Sequence, residues 1–526
     1  MAGTARKVVV IGAGVGGLAA ALRLAHAGCA VTVLEAAATP GGKMRTLPSV
    51  AGPVDAGPTV MTMRPVFEAL FADVGERLSD HVTLHPEPLL ARHWWPDGSS
   101  LDLFTDREAS AAAIRAFAGP RAEAEFRAFD AEATALHDAF EGPMMQAARP
   151  DLPRLAAAVL TRPRLTPALL PFATLARRLA QHFTDPRLRQ LFGRYATYVG
   201  GSPFAAPAVL GLIWQAEARG VWRVEGGMHR LARALASLAE AKGATFHYAT
   251  PVARIEMQNG RAAAAVTSQG SRHPADAIVF NGDPAALHRG LLGEPARAAV
   301  PARAVAPRSL SAHVWAFAAT PSRADLTHHN VFFGNDNRTE FGPIAAGRLP
   351  EDPTLYVCAQ DRGEGLTPTG PERFEIIMNA PPHTGPATEE PPCPTPESRD
   401  LVFRSLARSG LTFEPMPEPS AGTTPAGFAA LFPGSDGSLY GRSPHGLTAS
   451  LQRPTACSSL PGLYLAGGGA HPGAGIPMAT LSGRHAAAAI LSGPASTSPS
   501  RRTATPGGMS MRSQTAAPAR CRSSPS

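Results

Sequence analysis

The chain has 526 residues, of which 44% are hydrophobic and 17% charged, and its formal net charge at pH 7 is +7. This length predicts two domains, and no apolar run approaches the roughly 18 residues that a membrane-spanning helix needs. Five arginines fall in the acid-free segment 493–526, so subtracting them leaves +2 for the rest, which argues against a nucleic-acid partner.

The first predicted element is a buried parallel strand over 7–11, followed by a glycine-rich turn and a helix over 18–27. Gly12 permits the tight turn, Gly14 lets the backbone approach a pyrophosphate, and Gly17 lets the helix pack closely on the strand. Gly16 completes the glycine cluster. The free N–H groups at the start of the helix suit a phosphate.

A second strand over 30–34 ends at Glu35, where a carboxylate can accept hydrogen bonds from a ribose diol. Strand, turn, helix, strand and terminal acid together predict a dinucleotide-binding unit. Arg6 and Lys7 before an apolar stretch also imitate a signal peptide, but the glycine spacing favours the dinucleotide loop.

A second glycine loop follows, Thr39–Thr46, and then the segment Asp55–Thr59. Paired glycines that include Gly42 would let the backbone approach another part of a long cofactor, and Lys43 or Arg45 could meet phosphate or flavin carbonyl charge. Because nicotinamide enzymes have no need of this loop, it favours FAD.

The interior is predicted to be helical from Leu101 to about Trp214. Within it, residues 151–183 are rich in leucine and arginine and contain no acid between Asp151 and Asp185. Such a stretch fits either a membrane-facing surface or a lid helix with a solvated basic face. The pattern returns to α/β over 221–279, where Val252 begins a strand, and short apolar runs over 286–456 predict antiparallel strands.

The last motif joins an apolar strand at Leu463 to Gly467 and, eight residues later, to Gly475, Ile476 and Pro477, where a helix begins. Proline suits the first turn of a helix. The N-terminal dipole of this helix would favour negative charge on a flavin pyrimidine ring. We expect this loop and the N-terminal one to close on one extended cofactor.

Reactive side chains form no recognisable catalytic pattern. The five cysteines are scattered without a CxxC pair, so no metal site is predicted. The sequence likewise predicts no catalytic residues, because it shows neither a nucleophile nor a catalytic triad. Cysteine usage favours a reducing, cytoplasmic setting.

Six motifs in the same order resemble those of bacterial-type carotenoid desaturases, the phytoene desaturase group, from about Lys7 to Leu491. They are the first glycine loop with Glu35, Gly41-Gly42-Lys43, Asp55–Thr59, Val199–Phe204, Gly220–Met228 and His471–Pro477. Ser202, Arg223-Val224 and Met478 depart from the phytoene desaturase pattern. These departures are more similar to the branch that acts on hydroxylated or methoxylated carotenoids, the hydroxyneurosporene desaturases (methoxyneurosporene dehydrogenases).

The resemblance implies an FAD-dependent oxidoreductase acting on CH–CH bonds in carotenoid biosynthesis of a photosynthetic bacterium. It would introduce a C3–C4 double bond into a 1-hydroxy or 1-methoxy acyclic carotenoid such as hydroxyneurosporene, by hydride transfer to noncovalent FAD and proton loss. Oxygen or a quinone would accept the electrons, and the enzyme would be cytoplasmic and peripherally membrane-associated. Alternatives are a phytoene desaturase, a flavin amine oxidase, or a prenyl-lipid carrier of the same fold.

The expected fold is a Rossmann-like FAD-binding domain of amine-oxidase type with a discontinuous α+β substrate domain. The FAD-binding domain would comprise residues 1–85, 220–285 and 455–492. The substrate domain, which would face the membrane, would comprise residues 86–219 and 286–454. Residues 493–526 would form a disordered tail. The predicted cofactor-binding residues are Gly12, Gly14, Gly16, Gly17, Glu35, Gly42, Lys43, Arg45, Val252, Gly467, Gly475, Ile476 and Pro477.

Overall fold

A computed structural model describes residues 5–383 and 391–493. Numbered along the chain, its strands are β1 Lys7–Ile11, β2 Ala30–Leu34, β3 Thr46–Leu47, β4 Val54–Asp55, β5 Leu84–Pro86, β6 Leu89–Trp94, β7 Ser100–Phe104, β8 Trp222–Val224, β9 Thr245–His247, β10 Val252–Gln258, β11 Arg261–Thr267, β12 Arg272–Pro274, β13 Ala277–Phe280, β14 Ser311–Pro321, β15 His329–Phe332, β16 Leu355–Ala359, β17 Glu372–Ala380, β18 Phe413–Glu414, β19 Gly422–Thr423 and β20 Leu463–Leu465.

The α-helices are α1 Val15–His26, α2 Arg64–Ala72, α3 Arg107–Phe140, α4 Leu152–Leu160, α5 Thr166–Leu169, α6 Leu175–His182, α7 Pro186–Gly193, α8 Trp214–Ala218, α9 His229–Ala241, α10 Pro284–His288, α11 Asn337–Ala345, α12 Pro396–Arg408, α13 Pro425–Leu431 and α14 Ile476–Ser492. Short 3-10 helices span Leu78–Asp80, Pro163–Leu165, Arg194–Val199, Ala208–Ile213, Glu294–Ala299, Ala302–Ala304, Pro419–Ala421 and Ser450–Gln452, and a π-helix spans Glu141–Gln146. Apart from Gly493, the tail predicted to be disordered lies outside the described residues.

A five-stranded parallel sheet has the order β20-β13-β1-β2-β9. Its central strands are buried on both faces, as the continuous apolar runs predict. Helices α1, α9 and α14 pack together on one face. Because β20 lies beside β13, which in turn pairs with β1, the C-terminal segment enters the same sheet as the N-terminal one. The predicted Rossmann-like fold is confirmed.

An eight-stranded, largely antiparallel sheet has the order β18-β14-β17-β16-β15-β6-β7, with β19 paired to β14. It contains the antiparallel strands predicted after residue 286, and β6 and β7 from an earlier part of the chain extend it. The α+β character of the second region is therefore confirmed, while the proposed domain boundaries stay a prediction.

The start of the predicted helical region is wrong. Residues 100–104 form strand β7, and α3 begins only at Arg107. Leu101 and Leu103 are buried on one side of the strand, an alternation with period two, and Asp106 caps the helix by accepting hydrogen bonds from the N–H groups of Glu108 and Ala109.

The basic, leucine-rich segment carries several exposed apolar side chains. No residue of α4 is buried, and the exposed fractions of Leu160 and Phe172 reach 81% and 88%. None of the helices in the described part of the chain has the length and apolarity needed to cross a bilayer.

Candidate cofactor and substrate site

The N-terminal glycine loop has little room for side chains. Gly12 has φ +96°, and a Cβ atom on Gly17 would lie 2.1 Å from the Gly12 carbonyl oxygen. No side chain caps α1, whose N-cap is Gly14. The first N–H groups of the helix are therefore available to an anion, as the spacing predicts.

The two ends of the chain meet at Gly16. A Cβ atom there would lie 2.6 Å from the Gly467 nitrogen and 2.9 Å from the Ala479 carbonyl oxygen. Ala479 belongs to α14, the helix that begins at Ile476 and Pro477 with Gly475 as its N-cap. The predicted convergence of the two glycine loops is thus present in the structure.

Glu35 is held rigidly at the end of β2. Its Oε2 accepts a hydrogen bond from the Ala13 N–H at 2.5 Å and its Oε1 accepts one from the Ala37 N–H at 2.8 Å. The carboxylate is therefore held in one orientation and keeps lone pairs for a further hydrogen bond. Val252, at the start of β10, packs against the core cluster that includes Ile11 and Leu34, near the ends of the two central strands.

The second glycine loop lies directly on the first. The Gly41 N–H donates to the Ala13 carbonyl at 2.9 Å, and a Cβ on Gly42 would lie 3.2 Å from the Gly14 Cα. A Cβ on Gly57 would lie 1.9 Å from the Lys43 carbonyl oxygen, which stacks segment 55–59 beneath this loop.

Asp55 ties that segment to the motif that precedes α9. Its Oδ2 accepts from the Met228 N–H at 2.6 Å, and a Cβ on Gly227 would lie 2.5 Å from the same oxygen. Burial raises the pKa of the Asp55 carboxyl, and its hydrogen bonds to Met228 and His229 oppose that shift. Asp55 and Met228, which belong to two different motifs and are 173 residues apart in the chain, are in contact here.

A group of cations surrounds the loops. Lys43 donates to the Leu439 carbonyl at 2.5 Å, and Arg453 donates to the Gly468 carbonyl at 2.7 Å. Burial lowers the pKa of Lys43 to about 8, with Asp283 raising it and the charges of Arg308 and Arg453 lowering it further. Burial also lowers the pKa of Arg453 to about 10. The positive charges of Arg308 and Arg453 near the buried Lys43 suit an anionic group.

Arg45, unlike Lys43, turns toward the eight-stranded sheet. It donates to Thr423 Oγ1 at 2.7 Å and lies 5.6 Å from the centre of the Phe428 ring. Burial lowers its pKa, and the charge of Glu375 raises it.

Asn281 is a site residue that the sequence prediction missed. Its Nδ2 donates to the Gly12 carbonyl at 3.3 Å, and its buried Oδ1 has no hydrogen-bonding partner among the described residues. Cβ atoms on Gly14 or Gly16 would each lie 2.7 Å from this side chain. Its place directly after β13, at the carboxyl edge of the parallel sheet, is the signal that could have identified it.

The two faces of the eight-stranded sheet differ in polarity. One face packs Trp315, Phe317 and Ile376 into an apolar core with α12. On the other, Glu375 pairs with Cys358 across β17 and β16, and Cys358 pairs with His329 across β16 and β15. We call Glu375, Cys358, Tyr356 and His329 the polar face.

Thr59 connects the polar face to the predicted cofactor segment. Its Oγ1 lies 2.8 Å from Tyr356 Oη and donates to Glu375 Oε2 at 3.3 Å. Tyr356 Oη lies 2.7 Å from His329 Nδ1. A cavity of about 230 Å³ adjoins this cluster and is lined in part by Asp55, Thr59 and Cys358.

Three side chains here belong to types that bind metal ions. Ligand atoms of His328, His329 and Cys358 lie within 4.8 Å of one another, and all three residues are buried. The Nδ1 atoms of the two histidines already contact the Arg362 carbonyl and Tyr356 Oη. The predicted lack of a metal stays a prediction.

These features fit FAD. The residues that would hold it are the glycines of the two stacked loops, Gly467, the start of α14 and Glu35, with the cations around Lys43 facing its negative charge. The unpaired Oδ1 of Asn281 and the space kept by the glycines are what a bound group would use. The individual contacts stay predictions.

Comparison with known proteins places this arrangement among flavoenzymes. A family model described as flavin containing amine oxidoreductase matches residues 15–491. The chain is 61% identical to the hydroxyneurosporene desaturase of Cereibacter sphaeroides over 94% of its length and 99% of the relative's. It is 34% identical to the phytoene dehydrogenase of Streptomyces griseus over 93% and 96% of the two lengths. Wild-type putrescine oxidase bound to putrescine shares the fold, with a TM-score of 0.57, 16% identity and coverage of 92% and 99%.

Proposed function

We propose, from the premise that this chain belongs to the flavin containing amine oxidoreductase family, that it is an FAD-dependent carotenoid desaturase. It introduces a C3–C4 double bond into a 1-hydroxy or 1-methoxy acyclic carotenoid such as hydroxyneurosporene. The observation that supports this function is the contact of the two glycine loops at Gly16, which brings together the two segments that we propose hold one extended cofactor. The 61% identity to a hydroxyneurosporene desaturase supports the substrate class.

FAD, when bound, would supply a hydride acceptor for the allylic carbon, and loss of a proton from the neighbouring carbon would complete the C3–C4 double bond. The protein's own part is to position the substrate and to exclude water. The charge left on the conjugated chain is spread over many carbons, so no nucleophile is required. The start of α14, near Gly475, adds a helix dipole that favours negative charge at the cofactor.

The test is turnover by the purified, FAD-loaded protein in lipid vesicles that contain hydroxyneurosporene, neurosporene or phytoene. We expect one additional conjugated double bond in hydroxyneurosporene, seen as a red-shifted absorption spectrum, and slower conversion of the two hydrocarbons. Preferred conversion of phytoene would favour the phytoene desaturase alternative, amine turnover the amine oxidase, and absence of bound flavin the lipid carrier. Anaerobic assays with an added quinone decide between quinone and oxygen as electron acceptor.

We further propose that the segment around α4 rests on a membrane surface. Leu160 and Phe172 are exposed, and arginines accompany them at positions 154, 162, 164 and 177, a combination that suits an anionic bilayer. A surface of this kind would let an insoluble carotenoid pass from the bilayer into the protein.

Replacing both Leu160 and Phe172 with serine should weaken binding to anionic vesicles by about a hundredfold or more, because each buried apolar side chain contributes roughly 1.5 to 3 kcal/mol. Co-sedimentation with vesicles measures the effect. Val50→Ser is the matched control, since Val50 is 88% exposed but lies in another segment. Unchanged binding of the double variant would contradict the proposed membrane contact.

A further inference from the structure

The polar face of the eight-stranded sheet has hydrogen-bonding capacity that the described residues do not use. Glu375 is fully buried, and while its Oε2 accepts from Thr59, its Oε1 has no partner among them. At the other end of the cluster, His329 Nδ1 contacts Tyr356, and the buried Nε2 has no partner either. Buried polar atoms are nearly always paired, so two unpaired atoms in one cluster indicate a ligand with a polar group.

The environment of Glu375 fixes which kind of hydrogen bond it offers. Burial, and then the charge of Asp55, raise the pKa of the Glu375 carboxyl well above its usual range, and the Thr59 hydrogen bond and Arg45 only partly oppose this shift. This shift favours the protonated carboxyl over the carboxylate. A neutral carboxyl has one O–H to donate, and Oε1 is the oxygen left free to donate it.

The oxygen of the substrate must lie close to the carbon atoms that react. This step rests on the proposed function. In a carotenoid that is oxidised at C3–C4, three single bonds of about 1.5 Å separate the C1 oxygen from C3, so the two atoms lie within about 4 Å of each other. The oxygen must therefore sit beside the cofactor. Thr59 belongs to the predicted cofactor segment and is hydrogen-bonded to Glu375.

A tertiary alcohol and its methyl ether share one feature, an oxygen that accepts a hydrogen bond. Since the ether has no proton of its own, a site for both must supply the donor. A hydrocarbon end group would leave that donor unpaired, which is how a polar site rejects an apolar analogue. The cavity lined by Thr59 and Cys358 adjoins the cluster, and Thr59, which lines it, is hydrogen-bonded to Glu375.

We propose that the polar face and Thr59 bind the oxygen-bearing end of the carotenoid, with Glu375 Oε1 donating a hydrogen bond to the hydroxyl or methoxyl oxygen. Glu375 is then the residue that selects oxygenated substrates over hydrocarbons. It binds the end group and takes no part in hydride or proton transfer.

The test compares kcat and KM of the FAD-loaded wild type and Glu375→Met in vesicles, with hydroxyneurosporene, its methyl ether and neurosporene. We expect KM to rise at least tenfold for both oxygenated substrates, with kcat changed less than threefold and neurosporene turnover kept. Glu375→Gln retains an N–H donor and should keep most of the selectivity. Glu340 is another buried glutamate, bonded to Asn379, and Glu340→Gln is the control that should leave selectivity unchanged.

An unchanged ratio of kcat/KM between hydroxyneurosporene and neurosporene in Glu375→Met with full flavin content would overturn the proposal. So would an equal fall in kcat for all three substrates, which would make Glu375 a proton-transferring group. If Glu375→Met does not fold, the isosteric variant Thr59→Val tests the proposal instead, because it removes the hydrogen bond that Glu375 Oε2 accepts. We expect the ratio of kcat/KM for hydroxyneurosporene to kcat/KM for neurosporene to fall about fivefold in Thr59→Val. An unchanged ratio would reject the role assigned to Glu375. Failure of the wild type to convert any of these carotenoids would instead refute the proposed function.

Discussion

The cofactor end of the parallel sheet and the polar face of the antiparallel sheet lie side by side but are built differently. At the cofactor end, contacts are made mostly by backbone atoms, and glycines keep the space that a ligand needs. On the polar face, side chains from three neighbouring strands form the site, and two of their atoms have no hydrogen-bonding partner in the described part of the chain. We infer from this difference that backbone atoms bind the cofactor that the family shares, whereas side chains of the polar face determine which substrate is bound.

Gly16→Ala should have the largest effect on the cofactor end of the parallel sheet. The added methyl group would meet backbone atoms of Gly467 and Ala479 at 2.6 and 2.9 Å, and neither can move without shifting β20 or α14. We expect a loss of roughly 3 kcal/mol in the free energy of unfolding and little bound FAD. Thermal unfolding and flavin absorbance measure both effects.

Gly342→Ala is the matched control, because a Cβ atom on Gly342 in α11 would meet no atom within 4 Å. It should be neutral or slightly stabilising, since alanine favours a helix by up to about 1 kcal/mol relative to glycine. Normal stability and full flavin content in Gly16→Ala would mean that the two ends of the chain do not meet as the structure describes.

A smaller effect is expected from the charge of Lys43. The pKa of this lysine is lowered to about 8, so in the cofactor-free protein it is charged below pH 8 and loses its charge as the pH rises above that value. An anionic diphosphate favours the charged form, so FAD affinity should be highest below pH 8 and fall about tenfold by pH 9.5. Flavin fluorescence titrations at both pH values measure this change.

Lys43→Met should bind FAD more weakly at pH 7, and its FAD affinity should no longer depend on pH in this range.

The free energy of unfolding of the cofactor-free wild type should change with pH in the direction opposite to FAD affinity. Between pH 8 and the usual lysine pKa of 10.5, the unfolded chain binds a proton that folded Lys43 does not, so stability rises with pH there. A pH dependence of FAD binding that survives in Lys43→Met would assign it to another group.

The difference between the cofactor end and the polar face also explains which parts of the site could be predicted from the sequence. The glycine loops are read from contiguous motifs, because Gly12, Gly17 and Glu35 owe their roles to local spacing along one strand-turn-helix unit. Glu375 and Thr59 owe theirs to a contact across 316 residues that no local pattern encodes. The predicted start of the helical region at Leu101 was wrong for a related reason. Residues near Leu101 form a short strand because they pair with β6, although the surrounding sequence has a composition typical of helices.

The finest test compares the two faces of the antiparallel sheet through a pair of conservative substitutions. Tyr356→Phe removes the hydroxyl between Thr59 and His329, and Ile376→Val removes one methylene from the apolar face. Each should lower the free energy of unfolding by about 1 kcal/mol. Only Tyr356→Phe should lower the preference for hydroxyneurosporene over neurosporene, by about threefold, because Thr59 and Glu375 would then be less well oriented. Equal preference in the two variants, measured as the ratio of kcat/KM values, would mean that the polar face does not distinguish substrates.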